Sequence, residues 1–324
     1  MSNPALLTLV ERYLAERARL GFDVRKSASG LRDFAYHVQL AGHRGPLTVE
    51  IMADWARHDQ YGSADPQTWA RRLKSLRTFT RWLRQFQPRT EIPDDAIFGR
   101  LPGRLAPHIY SEREIADLLA AARCLGLAPD LRGILFETLF GLIASTGLRI
   151  SEALALRNAD VDLRGGMLII GRTKFAKSRQ VPLHPSTVHA LRRYRRLRDR
   201  TGESIEADAP FFIGTGRRQQ GLPLSVAQVH RVFAQLRSQL GWRNRGLHHA
   251  PRIHDLRHTF VVRRILRWVA EGVDVDQAML SLSTYVGHAM VTNTYWYLSA
   301  VPELMALAGA RFQSCAPRKE VANA

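Results

Sequence analysis

The sequence predicts a mainly α-helical protein in two parts, with one small antiparallel β-sheet in the second part. Three observations predict it. Apolar residues recur at helical spacing over most of the chain, a stretch rich in proline and glycine interrupts them near residue 100, and three short strand-like runs follow one another between residues 161 and 183.

In the first part, Leu6, Leu7, Val10, Tyr13 and Leu14 share one helical face, and Leu31, Phe34, Ala35 and Val38 share another. Asp65 followed by Pro66 has the form of a helix cap and first turn. The helix it opens repeats Trp69, Leu73, Leu76, Phe79 and Leu83 inward, and Arg71, Arg72, Lys74, Arg77, Arg81 and Arg84 fill the other positions. That basic face either meets solvent or meets a polyanion. Pro88, Pro93, Pro102 and Pro107, with Gly99 and Gly103, leave residues 87–109 poor in regular structure. The predicted organisation is a helical domain over 1–100, a linker over 101–109 and a second domain over 110–324 with a helical tail.

In the second part, Ser111 and Glu114 have capping-box spacing and open a helix through Leu125, and residues 131–156 read as one largely apolar helix. Val161–Leu163, Met167–Ile170 and Arg179–Leu183 are the strand-like runs, separated by Gly165-Gly166 and by the segment from Lys174 to Ser178. Helices are predicted over 186–199, 225–240, 254–271, 274–285 and 292–308.

Composition narrows the partner. The 324 residues are 45% hydrophobic, enough to bury a core in each of two domains. Forty-seven basic residues against 29 acidic ones give a formal charge of +18, which suits a nucleic acid held by counterion displacement. Lysine is scarce: only Lys26, Lys74, Lys174, Lys177 and Lys319 occur, so arginine supplies nearly all of the basic residues and a lysine can mark a need for its chemistry. Cys124 and Cys315 are isolated thiols, which points away from a disulfide framework and a cysteine-based zinc site. Charged residues near the N-terminus and the lack of an 18-residue apolar run predict a cytoplasmic protein outside the membrane.

Cleaving a phosphodiester requires fixed positive donors on the non-bridging oxygens, an in-line nucleophile and a proton for the leaving oxygen. Arginines can supply the donors without a metal. Arg149 lies in Ser145-Thr146-Gly147-Leu148-Arg149-Ile150-Ser151-Glu152, and Glu152 shares its helical face three residues on. His254 and Arg257, in His254-Asp255-Leu256-Arg257-His258, present an imidazole and a guanidinium side by side. His254 and His258, four apart, could instead chelate zinc. Against that, Asp255 stands where the zinc hydrolase pattern has its glutamate, and Arg257 brings a positive charge to the would-be cation site. Val286-Gly287-His288 and Thr294-Tyr295-Trp296-Tyr297 add a further imidazole and two phenols, although aromatics at helical spacing are commonly core residues.

Taken in order, these segments resemble the tyrosine recombinase, or phage integrase, family, with Xer-like and mobile-element recombinases as the nearest pattern. The resemblance rests on Thr146-Gly147-Leu148-Arg149-Ile150-Ser151-Glu152, the lysine-bearing hairpin ending Val181-Pro182-Leu183, His254-Asp255-Leu256-Arg257-His258-Thr259-Phe260 and Val286-Gly287-His288. The family tyrosine follows the last histidine by nine positions, which selects Tyr297 over Tyr295. The resemblance implies a tyrosine recombinase catalytic domain over about 108–308, preceded by a helical core-binding domain. It implies that Arg149 and Arg257 clamp the scissile phosphate, that Lys174 protonates the leaving 5′ oxygen with Lys177 as the fallback, and that His254 assists proton movement at the tyrosine. His288 would bond a phosphate oxygen, Glu152 would support the site, and Tyr297 would attack to give a 3′-phosphotyrosine.

The same resemblance implies double-stranded DNA with specific recombination sites as the partner, four protomers on two duplexes, accessory or partner recombinases in some systems, and no cofactor or metal. Arg71, Arg72, Lys74, Arg77, Arg81 and Lys177 are candidate DNA contacts. The chain departs from the family in its aromatic turn before Tyr297, in Val286 where leucine is commoner, and in lacking an arm-binding domain ahead of the first helices. After Tyr297, Val301, Leu304, Met305, Leu307 and Ala308 form an apolar stripe that packs on its own domain or docks on a neighbouring protomer. A DNA-binding paralogue without chemistry, a type IB topoisomerase-like enzyme and a zinc hydrolase are the competing readings.

Overall fold

The computed structural model describes residues 5–58, 62–99, 101, 105–126, 131–171, 178–200, 205–216, 221–244, 250–288, 290–300 and 305–306. The chain divides into two compact units, Met1–Arg104 and Leu105–Ala324. The first unit holds α1 (Leu6–Arg19), α2 (Arg25–Leu40), α3 (Val49–Arg57) and α4 (Pro66–Leu83). Val10, Phe34, Met52, Ala56, Leu76, Phe79 and Leu83 close its core. The Asp65 carboxylate accepts from the backbone N–H groups of Gln67 and Thr68 at 3.0 and 3.2 Å, so α4 starts where the cap and the proline dictate. The nine-residue α3 is too short for a period to stand out in sequence, and it earns its place by burying Met52, Ala53, Trp55 and Ala56.

The second unit begins with α5 (Glu112–Arg123), where Ser111 and Glu114 form the expected capping box. It continues through α6 (Leu131–Thr146), α7 (Ile150–Leu154), a 3-10 turn at Asn158–Asp160, β1 (Val161–Asp162), β2 (Met167–Ile170) and β3 (Arg179–Pro182). α8 (Pro185–Asp199), α9 (Val226–Gln239), α10 (Ile253–Ala270), α11 (Val275–Val286) and α12 (Thr292–Ala300) follow. The sheet has the order β1-β2-β3 and is antiparallel, with Leu168 opposite Val161 on one side and Val181 on the other. α6 is apolar on every side because α5, α8 and α10 all pack against it.

The single helix expected over 131–156 is instead two, α6 and α7. Gly147 breaks it by taking a left-handed conformation with φ +66°. A Cβ at that position would lie 2.6 Å from the Phe260 ring, so this bend and α10 need a residue without a side chain between them. The last helix is described to Ala300, and residues 301–304, 307 and 308 of the helix expected over 292–308 lie outside the described residues. Among the described residues no helix is long and apolar enough to cross a membrane.

Candidate active site

The bend at Gly147 sets Arg149 at the start of α7, where Glu152 is three residues away. The Glu152 carboxylate accepts from Arg149 Nη1 at 2.7 Å and from the Arg149 backbone N–H at 2.9 Å. The other guanidinium nitrogen of Arg149 donates to the Gly287 carbonyl at 2.7 Å, which joins this segment to the turn before His288. Gly287 has φ +69°, and a Cβ there would lie 2.5 Å from Arg179 Nη1. The turn can therefore approach the two arginines only with glycine at its bend.

Arg257, on α10, draws the remaining motif segments together. Its guanidinium donates to the Gly147 carbonyl at 2.5 Å and to the Val286 carbonyl at 2.7 Å, and the side chain is buried. Burial first, and then the Arg149 charge, pull Arg257 down to about 9, which leaves it charged at neutral pH. His254 lies one turn before it. The surrounding protein and then the Arg257 charge hold this imidazole below its ordinary value, although the residue keeps part of its surface in solvent, and it is neutral at physiological pH.

Tyr297 is 1% exposed, on α12. Its hydroxyl lies 2.6 Å from Nδ1 of His258, not against His254, and its ring stacks over His288 with centroids 6.5 Å apart. His288 Nδ1 shares a hydrogen bond with Thr294 Oγ1 at 2.7 Å, which fixes the second imidazole by a residue of α12 itself. Tyr295 faces elsewhere: it is partly exposed, and its hydroxyl reaches the Asp276 carboxylate at 3.4 Å. The structure thus brings Arg149, Glu152, His254, Arg257, His288 and Tyr297 into one region of the second unit. Lys174 and Lys177 lie outside the described residues.

Two residues have a place in this site that sequence reasoning did not give them. Arg179 donates to both Glu152 oxygens, at 3.1 and 2.8 Å, and to the Tyr285 carbonyl at 2.8 Å. The side chain is 9% exposed. Burial pushes the Glu152 carboxyl up, but the Arg179 hydrogen bond, the Arg149 backbone N–H and both guanidinium charges outweigh it, so the net shift is downward. The signal was available in the strand period, since Arg179 shares a face of β3 with buried Val181. His258 is the second, and its burial at 4% exposure is visible only once α12 is packed on α10.

Of the basic residues expected to face DNA, Arg71, Lys74 and Arg81 are exposed. Arg72 is turned into the first unit, where it donates to the Trp55 carbonyl at 3.1 Å and lies over the Trp55 ring. Arg77 pairs with Asp95 at 2.7 Å. These two guanidiniums tie α4 to its neighbours, a use that a helical wheel of α4 alone does not show. Among the described residues no group of three His, Cys, Asp or Glu side chains is arranged to hold a metal ion.

The fold is similar to that of the Tn1549 transposon integrase in complex with transposon right end DNA, with a TM-score of 0.65 over 96% of this chain and 99% of that one at 16% identity. XerH site-specific recombinase bound to palindromic difH substrate gives 0.61 over 95% and 85% at 18% identity. This is the architecture of a tyrosine recombinase catalytic domain with a helical unit before it. In sequence, a putative integrase/recombinase of Sinorhizobium fredii, y4rB, is 38% identical over 299 residues, covering 91% of this chain and 93% of the relative. Tyrosine recombinase XerC of Chlamydia trachomatis is 31% identical over 232 residues, covering 71% and 66%. Residues 111–303 match the phage integrase family. The chain belongs to that family and is a tyrosine site-specific recombinase.

Proposed function

We propose that the protein cuts and rejoins double-stranded DNA at specific sites through a 3′-phosphotyrosine on Tyr297, in the integration, excision or transposition of a mobile element. One observation carries the reading: the Arg257 guanidinium bonds to Gly147 and Val286, so a single positive group gathers the segments that hold Arg149, His288 and itself. Arg149 and Arg257 then offer planar donor forks to the non-bridging oxygens of one phosphate. His288 adds a hydrogen bond to a phosphate oxygen, His254 stands beside the clamp as a neutral imidazole, and Glu152 orients both Arg149 and Arg179. Tyr297 attacks phosphorus, and Lys174, or Lys177 in its place, protonates the departing 5′ oxygen. Because the ester energy is kept in the phosphotyrosine, another strand's 5′-hydroxyl reverses the step without ATP.

In this reading four protomers act on two duplexes, with accessory or partner recombinases in some settings, and the enzyme works in the cytoplasm. The first unit serves as the core-binding domain, with Arg71, Lys74 and Arg81 as its exposed phosphate contacts on α4. The test is covalent capture on genomic DNA fragments in EDTA, with the trapped ends sequenced. Wild-type protein should form a protease-sensitive adduct at a small set of recurring sites, and Tyr297→Phe should form none while still shifting the same DNA in a gel. An adduct that persists in Tyr297→Phe removes the nucleophile, and an adduct abolished by EDTA together with stoichiometric zinc in the protein favours a metallohydrolase.

A further inference from the structure

We propose that His258 is the proton acceptor for the Tyr297 phenol: its Nδ1 lone pair takes the phenolic proton as the oxygen attacks phosphorus, and returns it when the phosphotyrosine is resolved. The inference rests on Tyr297 being the nucleophile. A phenol is a weak nucleophile until it loses its proton, so the attacking oxygen needs a base within hydrogen-bond reach. His258 Nδ1 is 2.6 Å from the hydroxyl. Both side chains are almost fully buried, at 4% and 1% exposure, which limits the access of bulk water to this proton.

His254, the other imidazole on this face of α10, is placed differently. Its ring meets the His258 ring edge to face, with centroids 4.6 Å apart, and no hydrogen bond joins it to the phenol among the described residues. Its lowered basicity, set by burial and the Arg257 charge, also makes it the poorer acceptor. For Nδ1 of His258 to accept, the ring carries its proton on Nε2. Among the described residues, the rings packed around this imidazole are those of His254 on α10 and of Trp296 and Tyr297 on α12, with His288 across the Tyr297 ring and the buried Arg257 next to it in the chain. In the forward step the Tyr297 O–H bond breaks, an N–H bond forms on His258, the phenolic oxygen bonds to phosphorus, and the P–O5′ bond breaks with its oxygen protonated by the general acid. On resolution a 5′-hydroxyl displaces the phenolic oxygen, which recovers its proton from His258.

The experiment is single-turnover cleavage of a nicked duplex that carries a captured end, with His258→Asn compared with wild type. Asparagine places an oxygen where Nδ1 stood, so it can accept the hydrogen bond without taking the proton. The expected result is a loss of about 10²-fold or more in cleavage with DNA binding kept, and recovery of at least about tenfold when the more acidic 3,5-difluorotyrosine replaces Tyr297 in the variant. Cleavage at the wild-type rate with the wild-type pH profile overturns the proposal, and so does faster cleavage, which would make the imidazole a restraint on the tyrosine. If His258→Asn does not fold, difluorotyrosine in the otherwise unaltered enzyme decides. The acidic limb of the pH profile should stay in place if an imidazole base governs it. A limb that moves down with the acidity of the phenol overturns the proposal. Tyr297→Phe runs alongside: an adduct there removes the nucleophile itself, whereas a silent Tyr297→Phe with a normal His258→Asn removes only the base.

Discussion

Arg198 and Arg257 are both large, fully buried cations, at 0% and 1% exposure, and their surroundings treat the charge in opposite ways. Around Arg198 it is neutralised: the guanidinium donates to the Asp199 carboxylate at 3.0 and 2.7 Å, to Asn158 Oδ1 at 2.7 Å and to the Phe211 carbonyl at 2.8 Å. Around Arg257 no carboxylate forms an ion pair among the described residues, two backbone carbonyls hold the fork, and Arg149 adds a second positive charge. Burying a cation without a counter-ion is unfavourable. A fold that nevertheless buries Arg257 without an ion pair among the described residues, and sets beside it a second cation, Arg149, whose partner is Glu152, leaves a place for an anion, whereas the Arg198 neighbourhood is complete as it stands. The difference teaches that burial alone does not single out Arg257 for the proposed clamp; the lack of a carboxylate partner among the described residues does.

The comparison breaks most visibly if the two arginines are removed in turn. Arg257→Ala should lower single-turnover cleavage by about 10²–10³-fold, the usual effect of deleting one donor from a developing-charge site. Its loss of stability in denaturant should be smaller than that of Arg198→Ala. Arg198→Ala should lower unfolding free energy by about 3 kcal/mol, because Asn158, the Phe211 carbonyl and Asp199 lose a shared partner. At temperatures where it is folded, it should form adduct at the wild-type rate. A reversed outcome, with Arg198→Ala losing chemistry and Arg257→Ala losing mainly stability, would end the distinction.

A smaller effect sharpens it. Glu152 is the carboxylate the pocket does contain, and it faces Arg149 and Arg179 instead of Arg257. Glu152→Gln keeps the shape and removes the charge, so cleavage should fall by about tenfold with DNA affinity nearly unchanged, consistent with a positioning role. An unchanged cleavage rate would show that Arg149 is held well enough by the Gly287 carbonyl alone.

The smallest effect is in the pH dependence of stability. The Glu152 carboxyl is lowered in the folded protein, so it contributes stability that is present above its ordinary value of about 4.5 and lost as pH falls through the lower folded value. His254 is also lowered, so its contribution is present above about 6.5 and declines as pH falls below that value, where the unfolded chain binds a proton that the folded pocket resists. Solvent around His254 keeps that part modest. Thermal melts from pH 8 to pH 4 should therefore decline first with the histidine and then with the carboxylate. Glu152→Gln should flatten the second part only, and a decline identical in both proteins would remove Glu152 from the acid response.

Much of the fold was legible because its signals are local. The Asp65 and Ser111 caps, the break near residue 100 and the alternation of β2 and β3 each depend on residues within a few positions of one another. Gly147 shows the limit. Its φ of +66° is a local property of glycine, but the close approach that leaves no room for a Cβ there comes from the Phe260 ring, more than a hundred residues away. Arg72 shows it again, since a wheel of α4 puts it on the basic face while Trp55 on α3 takes it inward.

By itself the sequence determined which chemical groups the protein has and in what order: two arginine boxes, a scarce lysine in the hairpin, three imidazoles and a tyrosine nine places after the last of them. It also set the helical periods that make those boxes fall on inward faces. Only the tertiary structure decided that Arg257 has no carboxylate partner among the described residues, that Arg179 shares Glu152 with Arg149, and that His258 and not His254 meets the phenol of Tyr297. The reason is geometric. Spacing along a helix fixes direction relative to its own axis, but which donor meets which acceptor depends on how α10, α11 and α12 pack, and hydrogen bonds lose their strength within a few tenths of an ångström of misplacement.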